Sequence, residues 1–390
     1  MASSKRILII DFSNYEDYPI GGYLSFAKSL MDSFGPDLAL VGITISKSDP
    51  VGKWFKKEIN GCVYDFFAMA RYNKSKTRHL IPDRLVSYLL FKFFQTRILK
   101  INLDNIFLQR QEMLLSMNRL DSRNVCYCFA GLENPLSISK YQYASYLSII
   151  FEKKFFRKLK HTSTILASGD DNAIRGMILR SKGALDASAV IKFPTRINTD
   201  IFRPRDKDDV RSRLDLSKTS TIIVTAGRLA PLKGWKFMVE CFMLFEKTIS
   251  DTKLYFIGEG EDREKIQEYI SVNKLNKKVI LTGGKSSEEV ALYLNASDLF
   301  IMGSYKEGWS TSLIEAVACG VPACVTDFSS AKEIIDEGIN GFVVDGHDTG
   351  LFVQSMLKSL KIPRPVPNDK VLKLSSHNLK ADLLKYWKLV

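Results

Sequence analysis

Residues 298–322, DLFIMGSYKEGWSTSLIEAVACGVP, constrain this chain more than any other stretch. The short apolar run at 298–302 suits a buried strand that ends in Gly303-Ser304. Ser310 or Thr311 can N-cap a helix, Gly320 can close it in the left-handed conformation, and Pro322 forbids its continuation. The pattern is strand, loop, helix, stop. At about 100° per residue Leu313, Ile314 and Val317 share a core face, and Thr311, Ser312, Glu315 and Cys319 fall opposite. Glu307 in the loop and Glu315 on the second turn are thereby expected at a cleft at the carboxyl end of a sheet, where open α/β folds bind ligands. The free N–H groups of the first helical turn point the same way. Taken alone, the two acidic residues are better explained by a helix-terminal charge at Glu307 and a solvated surface at Glu315.

A chain of 390 residues is long for one domain, and two α/β domains of somewhat under 200 residues each are expected. The apolar run within residues 6–12, RILIIDF, is too short for a signal-peptide core or a membrane span, so a cytoplasmic location is expected. The six cysteines (62, 126, 128, 241, 319, 324) form no C-x-x-C pair, and there are only four histidines. Neither a zinc site, a disulfide framework nor a multi-histidine metal centre is expected. The net charge of +13 is uneven: residues 1–200 hold 29 Lys and Arg against 18 Asp and Glu, residues 201–390 hold 27 against 25. Residues 51–100 alone hold 11 against 3, which marks the first half as the one to meet an anionic partner. No nucleic-acid-binding motif accompanies that charge, so nucleic acid is not expected as a partner.

Residues 6–12 read as a first buried strand, followed by a Gly21-Gly22 loop and a helix to about Phe34. Such a loop lets backbone amides approach a phosphate, although it is more often simply a turn. Residues 38–45, 62–70, 104–108, 125–129 and 165–168 read as the remaining strands of the first sheet. Residues 53–57 read only as a basic segment. Residues 81–100 and 146–160 mix Leu, Phe and Tyr with basic residues. They fit ordinary amphipathic helices with a solvated basic face, or helices that press onto an anionic membrane surface.

The second domain opens with a strand at 221–226 and the loop Gly227-Arg228-Leu229-Ala230-Pro231-Leu232-Lys233-Gly234. Arg228 and Lys233 are placed to clamp a diphosphate, Arg as a fork and Lys as a point charge. Gly258-Glu259-Gly260 is not a dinucleotide fingerprint, because Arg263 holds the third glycine position. Gly284-Lys285-Ser286 is not a P-loop, because Val279 stands where its first glycine would be. Strands are expected at 254–257, 279–281, 323–326 and 341–344, and a terminal helix at 378–390.

The string E-G-aromatic-S-x-S-L-x-E-A-x-A-C-G-x-P at 307–322 resembles the donor-sugar signature of family 4 (GT4) retaining glycosyltransferases, which have the two-domain GT-B fold. G-R-L-x-x-x-K-G at 227–234 resembles the diphosphate loop of the same family. Residues 190–204, with Pro194 and Phe202-Arg203-Pro204, resemble its interdomain segment. The resemblance implies an α/β GT-B fold of two Rossmann-like domains facing a cleft. Domains are expected at 1–203 and 204–365, with 366–390 returning to the first.

It implies a sugar transferred from a nucleotide-diphosphate donor to a saccharide or lipid-linked acceptor with retention, as in surface-polysaccharide synthesis, and without a metal or other cofactor. Arg228, Lys233 and Glu307 would be the catalytic residues. Gly21, Gly22, Gly227, Gly283, Gly284, Gly308, Trp309, Ser310, Thr311 and Glu315 would hold the donor, Glu315 through the ribose hydroxyls. The histidine that many of these enzymes carry at the end of a first-domain strand is missing, since those strands end in Gln109-Arg110 and Ala130, and Glu133 is a residue at hand to replace it. The basic first half adds an inner-membrane surface as an expected partner. Two further readings stay open: an epimerase of the same fold that releases nucleotide without an acceptor, and a non-catalytic scaffold that keeps the donor site.

Overall fold

The computed structural model describes residues 6–19, 22–73, 82–118, 120–129, 131, 132, 134, 136 and 142–389. Gly21, Ala130 and Glu133 lie outside them. Contacts divide the chain into one unit of residues 1–194 with 377–390, and a second of residues 195–376.

The first unit is built on β1 (Ile7–Ile10), β2 (Leu38–Thr44), β3 (Trp54–Ile59), β4 (Cys62–Arg71), β5 (Asn105–Leu108), β6 (Asn124–Phe129), β7 (Thr164–Ala167) and β8 (Val190–Lys192). They pair in the order β3-β4-β2-β1-β5-β6-β7-β8, all parallel except β3 against β4. β1 shows why a continuous apolar run makes a central strand: Leu8 and Ile10 enter one core with Val41, Phe67 and Phe155, while Ile7 and Ile9 enter another with Leu30, Phe66 and Trp387. Two strands escape the sequence reading. β3, the basic segment WFKKEI, is an antiparallel edge strand; Lys56 is 68% exposed at its side chain, while Lys57 is 10% exposed and pairs with Asp49 at 2.9 Å. β8 falls inside the segment expected to link the domains.

The second unit carries β9 (Thr221–Ala226), β10 (Thr252–Ile257), β11 (Val279–Gly283), β12 (Leu299–Met302), β13 (Ala323–Thr326) and β14 (Gly341–Val344), in the order β11-β10-β9-β12-β13-β14 and parallel throughout. This pair of Rossmann-like domains is the GT-B fold. Each sheet grows outward in both directions from one place, between β1 and β5 in the first and between β9 and β12 in the second. Such reversals leave a crevice beyond the carboxyl ends of the two strands.

The sequence places the domain limits at 203 and 365, and the contacts place them at 194/195 and 376/377. The reason is a clasp within the second unit: Ile197 N–H donates to Leu374 O at 2.9 Å, and Ser376 N–H donates back to Ile197 O at 2.7 Å. The terminal helix, Leu379–Tyr386, belongs to the first unit. Leu379, Leu383 and Trp387 are buried there, and the indole N–H of Trp387 donates to Asn124 Oδ1 at 3.0 Å.

Candidate functional site

The loops beyond β9, β10, β11 and β12 are stitched together by their backbones. Gly227 N–H donates to Ile257 O, Gly258 N–H to Gly283 O, Leu229 N–H to Glu259 O and Tyr305 N–H to Leu232 O, all at 2.9–3.0 Å. Gly234 makes this possible where β9 and β12 diverge. It holds φ at +65°, and a Cβ there would lie 1.8 Å from Gly303 O. No other residue permits both the conformation and the approach.

This closeness brings the two sequence motifs into contact. Lys233 Nζ donates to Glu307 Oε1 at 2.6 Å, and Ser304 Oγ donates to the same oxygen at 2.7 Å. The Glu307 side chain is 10% exposed and that of Lys233 30%. Oε2 of Glu307 makes no hydrogen bond among the described residues, so one carboxylate oxygen fixes the loop and the other stays available to a ligand hydroxyl. Gly227, Arg228, Leu229, Lys233, Trp235 and Ser304 line one pocket at this edge. Arg228 is exposed and donates to Glu261 at 2.9 Å, a pair that a tighter-binding anion can replace at small cost.

The helix Thr311–Ala318 follows. Ser310 caps it, its hydroxyl accepting from Leu313 N–H at 3.3 Å, and Gly320 ends it at φ +72°. The loop before it is pinned from the side, with Ser329 Oγ donating to Gly308 O at 2.6 Å and Ser330 Oγ accepting from Ser310 N–H at 3.1 Å. Thr311 and Gly308 are exposed, whereas Trp309 packs on the core of the unit. Glu315 is half-buried, and its carboxylate meets neither a cation nor a hydrogen-bond donor among the described residues. Burial pushes its carboxyl up to about 8. The sequence phase puts Cys319 opposite the core, but the thiol is buried with the core, and burial raises it to about 12. The segments around Pro204 and Pro365 close over that end of the helix, so both of its faces are packed.

Gly283 (φ +79°) ends β11 and Gly284 follows it, both beside Glu259, which pairs with Arg263 at 2.9 Å. Gly22 opens the helix Gly22–Phe34 of the first unit. Three contributors escape the sequence reading. Ser304 is visible only as a strand end, and Glu261 only as one more loop acid. His347 is more than 40 residues from the loop it supports. Its ring stacks on Tyr305 with centroids 4.0 Å apart, and its Nε2 lies 3.0 Å from Gly303 O.

The family model described as "Glycosyl transferases group 1" matches residues 206–372. The chain is 24% identical over 211 residues to the UDP-Gal:alpha-D-GlcNAc-diphosphoundecaprenol alpha-1,3-galactosyltransferase of Escherichia coli, over 53% of this chain and 52% of that protein. It is 30% identical over 196 residues to the GDP-mannose-dependent alpha-(1-6)-phosphatidylinositol monomannoside mannosyltransferase of Mycolicibacterium smegmatis, over 47% of this chain and 51% of that one. The chain thus matches about half the length of these curated relatives. Over whole chains, the sucrose-phosphate synthase of Thermosynechococcus elongatus has the same fold, with a TM-score of 0.73 at 17% identity over 98% of each chain. Arg228, Lys233, Glu307 and Glu315 all lie within the stretch that matches the glycosyl transferases group 1 model.

Proposed function

We propose that this protein is a retaining glycosyltransferase that moves a sugar from a nucleotide-diphosphate donor to a saccharide or lipid-linked acceptor in surface-polysaccharide synthesis. The observation that carries the reading is the meeting of Lys233 and Glu307 at the β9/β12 crevice, beside Arg228. Sugar transfer builds negative charge on the leaving diphosphate, and fixed positive groups aimed at that charge lower the barrier. Arg228 and Lys233 supply it, and no metal is needed for the same task. Glu307 Oε2 accepts from a hydroxyl of the sugar. The amides at 308–311 face its other side, and Glu315 binds the ribose. The acceptor hydroxyl attacks from the face the diphosphate leaves, which preserves the anomeric configuration without a protein nucleophile.

The two relatives described above act, by name, on lipid-linked acceptors, and the first unit has a surface suited to a membrane. On the helix Asp83–Ile98, Leu85, Leu89 and Phe93 are exposed at successive turns, Phe93 by 73%. On the helix Gln142–Leu159, Leu147, Ile149 and Ile150 are exposed beside Lys153, Lys154 and Arg157. Exposed apolar rows flanked by cations bind anionic bilayers. Among the described residues no helix is long and apolar enough to cross a membrane.

The test is thermal stabilisation and nucleotide release across UDP-, GDP- and ADP-sugars, comparing wild type with Lys233→Ala and Glu307→Gln. Stabilisation by one donor that Lys233→Ala abolishes is the expected result. The absence of any response, or a response indifferent to both substitutions, refutes the reading.

A further inference from the structure

The first unit has its own crevice position, between β1 and β5, and its chemistry differs from that of the second. β1 and β5 pair in register up to Ile10 and Leu108, so the next residues, Asp11 and Gln109, stand side by side just beyond the last paired positions. Asp11 is fully buried and Gln109 is 2% exposed. Oδ1 of Asp11 accepts from Arg110 Nε, yet Oδ2 is buried with no hydrogen-bond partner among the described residues. The side-chain amide of Gln109 donates to Tyr23 O at 3.4 Å, yet its Oε1 is likewise buried and unpaired. A buried carboxylate or amide oxygen without a donor is costly, and a fold retains one only where something else supplies that donor.

The charged groups of the cluster are paired. Glu112 lies 3.8 Å from Arg110 and 3.5 Å from Arg84, and Ser87 Oγ donates to it at 3.4 Å. Tyr127 donates to Gln109 O at 3.0 Å. Ser13 Oγ, two residues beyond Asp11 in the chain, is a further buried atom with no partner among the described residues. Two carboxylates and two guanidiniums balance, so the open Asp11 Oδ2 and Gln109 Oε1, both acceptors, belong to a neutral cluster. Their complement is a pair of uncharged donors. A carboxylate or a phosphate diester offers none, whereas neighbouring hydroxyls of a pyranose offer both. The guanidinium of Arg110, its side chain 12% exposed, lies 4.6 Å over the ring of Tyr23 and covers the cluster.

We propose that Asp11 Oδ2 and Gln109 Oε1 form a hydroxyl-binding subsite for a neutral saccharide, the acceptor in the reading above on which this assignment rests. The ligand enters by displacing the Arg110 side chain from Tyr23. The alternative is one buried water, which donates twice and holds the two strand ends together.

The two differ in the sign of a stability change. Gln109→Met removes an unpaired acceptor at nearly constant volume, together with one long donation to Tyr23 O at 3.4 Å that the removal of the buried orphan outweighs. If the atom serves a ligand, the empty protein melts at or above the wild-type temperature. If it holds a structural water, the protein melts lower. The experiment takes the full chain and measures binding of methyl gluco-, galacto- and mannopyranosides and methyl N-acetylglucosaminide by saturation-transfer NMR, with acetate as the anionic control. Expected is binding of at least one glycoside and none of acetate at this site, with Kd raised about tenfold by Gln109→Met. Asp11→Asn weakens binding as well where it folds, and Gln109→Met decides alone where it does not. A wild type that binds no glycoside, or a Gln109→Met protein that melts several degrees lower with binding unchanged, overturns the assignment. Nucleotide-sugar stabilisation, read in the same samples, separates the two ideas. Its loss with glycoside binding intact sinks only the transferase reading, and its presence without glycoside binding sinks only the subsite.

Discussion

Replacing Lys233 by Met separates the structural from the catalytic share of the Lys233–Glu307 pair. The ion pair is short, 2.6 Å, but its lysine is 30% exposed. Exposed pairs contribute about 0–1 kcal/mol, and breaking a fully buried one costs about 3–5 kcal/mol. A pair with one partly exposed member falls between, at about 1–2 kcal/mol, and Ser304 still holds Glu307 by its hydroxyl. For a unit of this size that corresponds to a fall in Tm of about 2–8 °C. The catalytic share is larger. A fixed charged donor lost from the leaving-group side lowers the rate about 10²- to 10³-fold, or about 2.7–4 kcal/mol. The assay is kcat/KM for the donor selected by the stabilisation panel, at 20 °C where both proteins are folded, beside a melting curve. Glu307→Gln and the double variant complete a cycle. A Lys233→Met enzyme within threefold of wild type in kcat/KM, with its Tm lowered as stated, would show the lysine to be a loop clamp and nothing more.

The carboxyl of Glu315 is raised from 4.5 to about 8 by burial, so the folded state binds a proton that the unfolded chain releases between those values. Stability therefore falls as pH rises through that window, and Glu315→Gln, which cannot ionise, flattens the slope in melts at pH 5, 6.5 and 8. Gly234→Ala forces a Cβ against Gly303 O at a left-handed position, costing at least about 1–3 kcal/mol, and is expected to lower both the Tm and donor stabilisation. Activity is expected to persist in excess EDTA, since Arg228 and Lys233 carry the charge work; its loss and recovery with Mg²⁺ or Mn²⁺ refutes that part of the reading. The wild type is expected to co-sediment with vesicles rich in anionic lipid at low salt and to be released at about 0.5 M salt. Phe93→Asp weakens the association, and equal sedimentation of both proteins would remove the membrane surface from the account.

Most strands were legible because parallel strands are buried on both faces and therefore read as unbroken apolar runs. Residues 221–226, 323–326 and 341–344 have the bounds observed for β9, β13 and β14. β3 was hidden because an edge strand keeps its charges, and β8 because three residues beside Phe193-Pro194 carry no period. The loops that meet at the β9/β12 crevice were legible because Gly227-Arg228 and Gly303 to Gly308 each follow a strand directly. Helical phase alone misplaced Cys319. It describes one helix against one sheet and knows nothing of the segments around Pro204 and Pro365 that arrive from elsewhere. The Asp11–Gln109 pairing was invisible for the same reason: 98 residues separate two side chains that strand register sets side by side.

The contact of Trp387 with Phe107 and Asn124 fixes an order of assembly. Residues 195–376 are contiguous, so the second unit emerges from the ribosome whole and can close its core at once. The first unit emerges earlier yet lacks part of one hydrophobic layer until Leu379, Leu383 and Trp387 have been synthesised. The half made first is thus completed last. A chain truncated after residue 376 and released is expected to present a finished second unit joined to a first unit whose layer around Ile7, Ile9 and Leu30 is still open to chaperones.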